Sequence, residues 1–304
     1  MNKSNSENLF RIGIDIGGTF TDIVILLENG EIFTKKVNST PEEYSYGAVS
    51  GLESLIKEKG LNPKNAKNVV HATTVATNTV IEGKGANTAL ITTKGFRDIL
   101  EFRRVRFPEL YNLQYIKPLP IVKRRNRFEI QERIGADGIV NIDLDIEELI
   151  STAKEIKKLN ISSVAICFLH SYLNPVHENK AKSIISEMLP ADTFICTSYE
   201  ILPEIREYER TSTTVVNAYL GPIMRDYLSN FSNRLSDIGL NVPCYVMQSS
   251  GGQMLFKSAI KNPAYLLESG PAAGVVAASE LAQKKGIKEV ITLDIGGTTA
   301  KTAI

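Results

Sequence analysis

One short pattern occurs twice in this chain, and it restricts the possible folds more than any other feature. Near the start the sequence reads Ile14-Asp15-Ile16-Gly17-Gly18-Thr19-Phe20-Thr21-Asp22, and near the end Leu293-Asp294-Ile295-Gly296-Gly297-Thr298-Thr299-Ala300-Lys301. An apolar run leads into each Asp-Ile-Gly-Gly-Thr, and Ile23 to Leu27 follow the first copy, which predicts strand, tight turn and returning strand. Glycine has no Cβ and tolerates positive φ, so backbone N–H groups in such a turn can lie against a bulky anion. Thr19, Thr21, Thr298 and Thr299 add hydroxyl donors. Asp15 and Asp294 close their strands where a hydrated Mg²⁺ can sit. One such loop is a phosphate cradle, and two facing loops clamp a polyphosphate. A single copy would read equally well as an ordinary hairpin, but a repeated copy is much harder to dismiss.

The paired loops resemble those of the actin, Hsp70 and sugar-kinase superfamily, in which two ribonuclease-H-like domains close on ATP. That resemblance implies an α/β fold. The order of elements agrees with it. Phe10 to Asn38 predict three strands, turning at Asn29-Gly30. Thr40-Pro41-Glu42-Glu43 predict a capped helix start, with Glu43 completing a capping box and Gly60 ending the helix after Glu58. Val69 to His71 and Ala89 to Thr93 predict short strands, each running into a helix. Arg103 to Arg133 break the pattern with Pro108, Pro118 and Pro120. The Arg and Lys residues crowded there read as a solvated connection rather than a nucleic-acid surface, because the whole chain carries only +1 net charge. One or two of them facing an anionic substrate is a further option.

Beyond that break, Asp145 caps a helix ending near Asn160. Ser163 to Leu169 form an apolar run typical of an interior parallel strand. A helix from Asn174-Pro175 to Met188 and a strand from Thr193 to Thr197 follow. Gly221-Pro222 predicts a break between two helices, Ile201 to Tyr219 and Pro222 to Ser236. A strand over Val242 to Met247 and a helix opened by Glu268-Ser269-Gly270-Pro271 precede the second loop. The chain, 304 residues long and 43% hydrophobic, has length for two cores. Its three cysteines lack C-x-x-C spacing, which fits a reducing cytoplasm. Met1 to Asn8 have no apolar h-region, so no signal peptide is expected. No apolar run reaches membrane-spanning length.

A more specific resemblance rests on seven motifs in order: residues 15–22, His-Ala-Thr-Thr-Val-Ala-Thr-Asn (71–78), Thr-Lys-Gly-Phe-Arg-Asp (93–98), Leu-Pro-Glu-Ile-Arg-Glu-Tyr-Glu-Arg-Thr-Ser-Thr (202–213), Met-Gln-Ser-Ser-Gly-Gly (247–252), Ser-Gly-Pro-Ala-Ala-Gly (269–274) and residues 294–301. Together they resemble the hydantoinase A/5-oxoprolinase family. Two departures stand out: Ala72 follows His71 where the family more often has Gly, and family members run to more than twice this length. The resemblance implies an N-terminal domain over residues 9–200 and the beginning of a second over 201–304, which would end at Ile304, one hairpin arm into a further lobe.

The family's chemistry implies ATP and Mg²⁺ as cofactors and a small cyclic amide (hydantoin, N-methylhydantoin or 5-oxoproline) as substrate. It also implies a complementary hydantoinase B-type subunit, or the missing C-terminal half, as partner. Phosphorylating the ring carbonyl oxygen would turn a poor electrophile into one that water can open, leaving the protein to position groups and neutralise charge. On this reading Asp15, His71 and Asp294 are catalytic, with Asp15 and Asp294 holding Mg²⁺ through waters. Gly17, Gly18, Thr19, Thr21, Gly296, Gly297, Thr298, Thr299 and Lys301 bind phosphate. Thr73, Thr74, Asn78, Arg206, Glu209, Arg210, Glu268 and Ser269 face substrate. Ordinary alternatives stand beside several of these: a structural His71, a solvated Lys301, a charged helix face over Glu204 to Arg210, and a plain helix cap at Glu268-Ser269. His170 and His177 read as structural. A ketone carboxylase subunit and a non-catalytic nucleotide-binding module are the competing functions. With the arm from Thr298 to Ile304 lacking a sheet to join, the chain alone is expected to turn over ATP poorly.

Overall fold

The computed structural model describes residues 9–40, 43–105, 111–295 and 300–304. Strands β1 (Phe10–Ile16), β2 (Phe20–Leu27) and β3 (Ile32–Asn38) form an antiparallel meander, followed by helix α1 (Tyr44–Glu58). Strand β4 (Ala66–Thr73) then runs parallel to β1, setting His71 beside Ile14 and Ala72 beside Asp15, and α2 (Val75–Ile81) follows directly. Next come β5 (Thr88–Thr93), α3 (Ile99–Phe102), β6 (Arg127–Ile130), β7 (Arg133–Ile134), β8 (Val140–Ile142), α4 (Ile146–Lys158), β9 (Ser163–Cys167), α5 (Val176–Met188), β10 (Phe194–Thr197), α6 (Ser198–Ile201) and α7 (Glu207–Asp237). The chain continues through β11 (Cys244–Met247), β12 (Gln253–Leu255), α8 (Phe256–Ala259), α9 (Ser269–Lys284), β13 (Thr292–Ile295) and β14 (Ala300–Ala303).

Contacts divide the chain into two compact units, not in simple sequence order: the part up to Lys84 with Met224–Ile304, and Gly85–Ile223. The first unit carries a six-stranded sheet in the order β12-β11-β4-β1-β2-β3. An antiparallel meander extended by β4 and β11, both parallel to β1, is the ribonuclease-H-like topology of the actin-type fold. In β1 and β2 the buried side chains alternate, Phe10, Ile12, Ile14 and Ile16, then Ile23, Ile25 and Leu27. Period-two alternation drives the meander to one register, since a one-residue slip would turn every one of them outward.

The Gly85–Ile223 unit holds an all-parallel sheet, β10-β9-β5-β6. Alternate residues of β5 and β9 feed two cores. Ala89, Ile91, Val164 and Ile166 pack with Leu149, Ala153, Ile156, Ala181 and Ile185 of α4 and α5. Leu90, Ala165 and Cys167 pack with Val215 and Ala218 of α7. Both faces of β9 are therefore covered, which is why its sequence is uninterruptedly apolar. Asp145 caps α4 as its position predicts, its carboxylate accepting from Glu148 N–H at 2.9 Å.

Several local expectations are corrected. The capping box at Thr40 and Glu43 does not form. The helix starts at Tyr44, and the Thr40 hydroxyl donates to Glu43 O (2.6 Å) while accepting from Gly47 N–H (3.2 Å). Pro41 and Glu42 lie outside the described residues. Within the irregular, basic stretch, β6 adds a parallel edge strand to β5. Arg127 there is not a solvated cation: it is 2% exposed, donating to Val122 O and pairing with Glu101 at 2.9 Å. Arg124 forks onto both oxygens of Asp98 at 2.9 Å. The predicted break at Gly221-Pro222 is absent, because α7 runs unbroken for 31 residues with Pro222 inside it. Proline removes the N–H that would bond Ala218 O four residues earlier. The Ser163 hydroxyl donates to that carbonyl instead, at 2.5 Å, and Ala86 N–H takes Tyr219 O at 2.9 Å. Finally, the arm after the second loop does have a partner, since β14 pairs antiparallel with β13, Asp294 opposite Lys301. The hairpin leaves apolar side chains bare, with Leu293 and Ile295 about 70% exposed.

Candidate functional site

The first Gly-Gly-Thr turn joins β1 to β2, and the chain's own backbone holds it from behind. Gly17 N–H donates to Phe20 O (3.0 Å), and a Cβ on Gly17 would stand 3.1 Å from that same oxygen. Only glycine fits there without moving the returning strand. At the end of β3, Ser39 N–H donates to Thr19 O (2.9 Å) and the Ser39 hydroxyl donates to Gly17 O (2.7 Å). Gly18 and Thr19 are exposed. Thr21 is fully buried behind the turn, its hydroxyl 3.0 Å from Ser39 Oγ, so it supports the loop from inside.

The β4–α2 turn lies beside this loop. Thr74 N–H and hydroxyl both donate to Ile16 O, at 3.2 and 3.3 Å. The Asn78 amide donates to Thr74 Oγ1 at 3.3 Å, with its nitrogen 3.9 Å from where a Gly18 Cβ would stand. Thr73 is buried, and its carbonyl accepts from Ser269 Oγ at 3.1 Å, while Glu268 N–H donates to Thr77 Oγ1 at 2.9 Å. These two bonds fasten the start of α9 to β4 and α2. Glu268 adopts left-handed backbone, φ 59°, to turn the chain into α9, a conformation that costs a non-glycine residue about 1 kcal/mol or more. Gly270 follows, and a Cβ there would stand 3.9 Å from Asp15 Oδ1 and 3.8 Å from Thr74 Cγ2. The α9 N-terminus thus opens next to the Asp15 carboxylate.

Asp15, Asp22 and Asp294 make this end of the unit acidic. Asp22 sits opposite Asp15 across the hairpin and pairs with Lys36 at 2.7 Å. Asp15 is exposed at the end of β1, yet the protein nearby raises its carboxyl above the ordinary 3.8, Asp22 and Asp294 add like charge, and Lys36 pulls the other way. Lys301 forms an ion pair with Glu268 while facing Asp294 across the β13–β14 ladder. A cleft of about 690 Å³ opens between α9 and the β13–β14 hairpin, with Glu268, Asp294 and Lys301 on its polar side and Pro271, Ala272 and Leu293 on its apolar side. Gly296, Gly297, Thr298 and Thr299 lie outside the described residues.

His71 is placed inside the core. It is 0% exposed, with its ring tilted against Tyr227 and Phe231 and edge-on to Phe256. Ile14 O can only accept, so Nδ1, 3.2 Å away, carries the proton, and Nε2 accepts from the Tyr227 hydroxyl at 2.6 Å. Both nitrogens are engaged, and burial depresses the pKa to about 4, so the ring is neutral and closed to any ligand outside that core. Arg206, Glu209 and Arg210 belong to the Gly85–Ile223 unit. Arg206 is exposed, Glu209 pairs with Arg104, and Arg210 is 1% exposed, donating to Glu204 O and Phe168 O at 2.9 Å. Sequence reasoning missed Ser39 and Tyr227, since a serine at a strand end and a tyrosine within a helix give no local signal of what they hold.

The arrangement suits a magnesium polyphosphate. Magnesium keeps several waters and takes one or two carboxylates. No group of three or more His, Cys, Asp or Glu among the described residues is arranged to ligate a metal. Asp15 and Asp294, close enough for the second to raise the first, provide the two-carboxylate alternative. Loop backbone lacking Cβ atoms and a helix N-terminus provide the anion side.

A ribonuclease-H-like sheet with a glycine loop at its first hairpin, an acidic mouth and a second such hairpin defines a protein of the actin-like ATPase fold class. Sequence comparison makes the assignment specific: residues 11–189 match the hydantoinase/oxoprolinase N-terminal region and residues 210–304 match hydantoinase/oxoprolinase, so the chain belongs to the hydantoinase/oxoprolinase family. An uncharacterized protein of Methanocaldococcus jannaschii is 46% identical over 97% of this chain and 43% of its own length. Caprolactamase subunit alpha of Pseudomonas jessenii is 35% identical over 97% of this chain and 43% of its own. The crystal structure of that ATP-dependent caprolactamase superposes with a TM-score of 0.83 at 34% identity, covering 96% of this chain and 43% of the other. Nucleotide-free acetone carboxylase, from work on ATP-dependent acetone carboxylation, gives a TM-score of 0.87 at 28% identity, covering 97% and 44%. The chain therefore spans less than half the length of these relatives. Relatives in the family are ATP-dependent enzymes and subunits of larger assemblies. None of the described helices is long and apolar enough to cross a membrane.

Proposed function

We propose that this chain forms the nucleotide-binding part of a cytoplasmic enzyme that uses ATP to hydrolyse a cyclic amide such as hydantoin, N-methylhydantoin or 5-oxoproline. The observation that carries the reading is the pair of Asp-Ile-Gly-Gly-Thr hairpins, with Asp15 and Asp294 within electrostatic reach of one another beside the cleft. Mg²⁺-ATP, when bound, supplies the phosphoryl group that turns the amide carbonyl oxygen into a leaving group. Asp15 and Asp294 are the carboxylates that would hold the metal. The exposed backbone of Gly18 and Thr19 would receive phosphate oxygens, and the repeated motif assigns Gly296 to Thr299 the same role by sequence. Glu268 keeps Lys301 beside Asp294, where the ammonium offsets carboxylate repulsion before a cation arrives. Thr74, Asn78 and Ser269 brace the first loop against α9. A complementary hydantoinase B-type subunit, or further sequence of the same protein, completes the substrate site.

Two measurements test this. Asp15→Ala and Gly297→Val each weaken Mg²⁺-ATP binding in calorimetry, the first by removing a metal anchor and the second by filling the cradle. Unchanged affinity in both would refute the nucleotide site. In the complete assembly, ADP release depends on a lactam or hydantoin. Because acetone carboxylase superposes as well as caprolactamase does, a ketone with bicarbonate is the second substrate to try. Stimulation by that pair alone would place the enzyme on the carboxylase branch.

A further inference from the structure

We infer that Ser39 is a positioning residue for the first glycine loop, setting the peptide planes so that Gly18 N–H faces the phosphate. This rests on the nucleotide reading above but concerns a residue outside both Asp-Ile-Gly-Gly-Thr motifs. Ser39 follows β3 and grips the loop twice, through its N–H to Thr19 O (2.9 Å) and its hydroxyl to Gly17 O (2.7 Å). A serine hydroxyl has one proton, and Gly17 O takes it. The 3.0 Å contact between Ser39 Oγ and Thr21 Oγ1 is therefore one in which Thr21 donates. Buried Thr21 orients Ser39, and Ser39 orients the loop.

The consequence follows from peptide geometry. Every described peptide bond is trans, and the C=O and N–H of a planar trans peptide point in opposite directions. Pinning Gly17 O toward Ser39 turns Gly18 N–H away from it, toward the loop's open side. Pinning Thr19 O does the same for Phe20 N–H. Gly17 N–H is already committed to Phe20 O at 3.0 Å and contributes no donor. The peptide between Gly17 and Gly18 is also the one most able to flip, since neither neighbour has a Cβ to oppose positive φ. Flipped, it would present a carbonyl oxygen to an anion. The Ser39 hydroxyl is the one hydrogen bond described at Gly17 O, so it selects the donor-outward state.

The test uses the full chain and two probes, Mg²⁺-ATP and inorganic pyrophosphate, titrated by calorimetry into wild type, Ser39→Ala, Ser39→Thr and Thr40→Ala. Thr40 is a fitting control because its hydroxyl also serves nearby backbone, at Glu43 O and Gly47 N, but not the loop. Ser39→Ala lowers affinity for both probes by roughly tenfold, the scale of one lost backbone-orienting hydrogen bond. Ser39→Thr restores it, and Thr40→Ala keeps wild-type affinity whatever its melting temperature. In ligand-free protein labelled at glycine with ¹⁵N, the Gly18 amide resonance shifts in Ser39→Ala and returns in Ser39→Thr. Wild-type affinity or an unmoved Gly18 amide in Ser39→Ala overturns the inference while leaving the nucleotide site standing. Failure of wild type to bind either probe overturns both.

Discussion

Helix α7 carries a proline that ought to break it, and the way it survives yields a quantitative prediction. Pro222 leaves Ala218 O without its helical donor, and the Ser163 hydroxyl of β9 takes that carbonyl at 2.5 Å. Ser163 and Ala218 are both 0% exposed, so no water can substitute. Ser163→Ala removes the donor and little else, leaving a buried carbonyl unsatisfied at a cost of about 1–3 kcal/mol. For a unit of this size each kcal/mol lowers the melting temperature by roughly 2–4 °C. Pro222→Ala restores an N–H that can bond Ala218 O from within the helix. In that background Ser163→Ala costs at most about 0.5 kcal/mol, so the cycle has a coupling energy of about 0.5–3 kcal/mol. The assay is thermal and urea unfolding of the four proteins, followed by far-UV circular dichroism. An equal loss from Ser163→Ala in both backgrounds would show that the hydroxyl does not stand in for the missing helical bond.

Three further outcomes are expected. Asp15 holds its proton above the ordinary 3.8, so the unfolded chain ionises first as pH rises and stability falls through that window. Asp15→Asn should melt higher than wild type at pH 7, with the gain vanishing below about pH 3.8, even as Mg²⁺-ATP binding is lost; a lower melting temperature at pH 7 would contradict this. His71 behaves in the opposite sense: its pKa is depressed from 6.5 to about 4, so stability present above pH 6.5 is lost as pH falls toward 4, by about 3 kcal/mol. His71→Gln should flatten that part of the profile, and an unchanged slope would move its origin elsewhere. Finally, purified chain alone should turn over ATP well below about 1 s⁻¹, the low end of typical enzymes, with the bare faces of Leu293 and Ile295 favouring self-association; turnover at or above that rate by monomer would show that no further lobe or subunit is needed.

Local sequence determined the elements whose signals are local. The alternation in β1 and β2 can be read directly, because each strand buries one face. Asp145 predicts its own cap, because an Asx side chain reaches backbone only a few residues away. The uninterrupted apolar run of β9 forecasts burial on both faces. Asp-Ile-Gly-Gly-Thr marks the turn where glycine is sterically required. Tertiary structure decided whatever depends on partners distant in sequence. Gly221-Pro222 carries every local mark of a break, yet the carbonyl it orphans finds Ser163, 55 residues earlier. Thr21 looks like a phosphate donor in the motif but turns inward to Ser39. His71 sits in a polar-looking string, while its ring is consumed by Ile14 and by Tyr227, 156 residues away. Propensity and periodicity sense only neighbouring residues, whereas burial obliges each polar group to find a partner wherever the fold brings one.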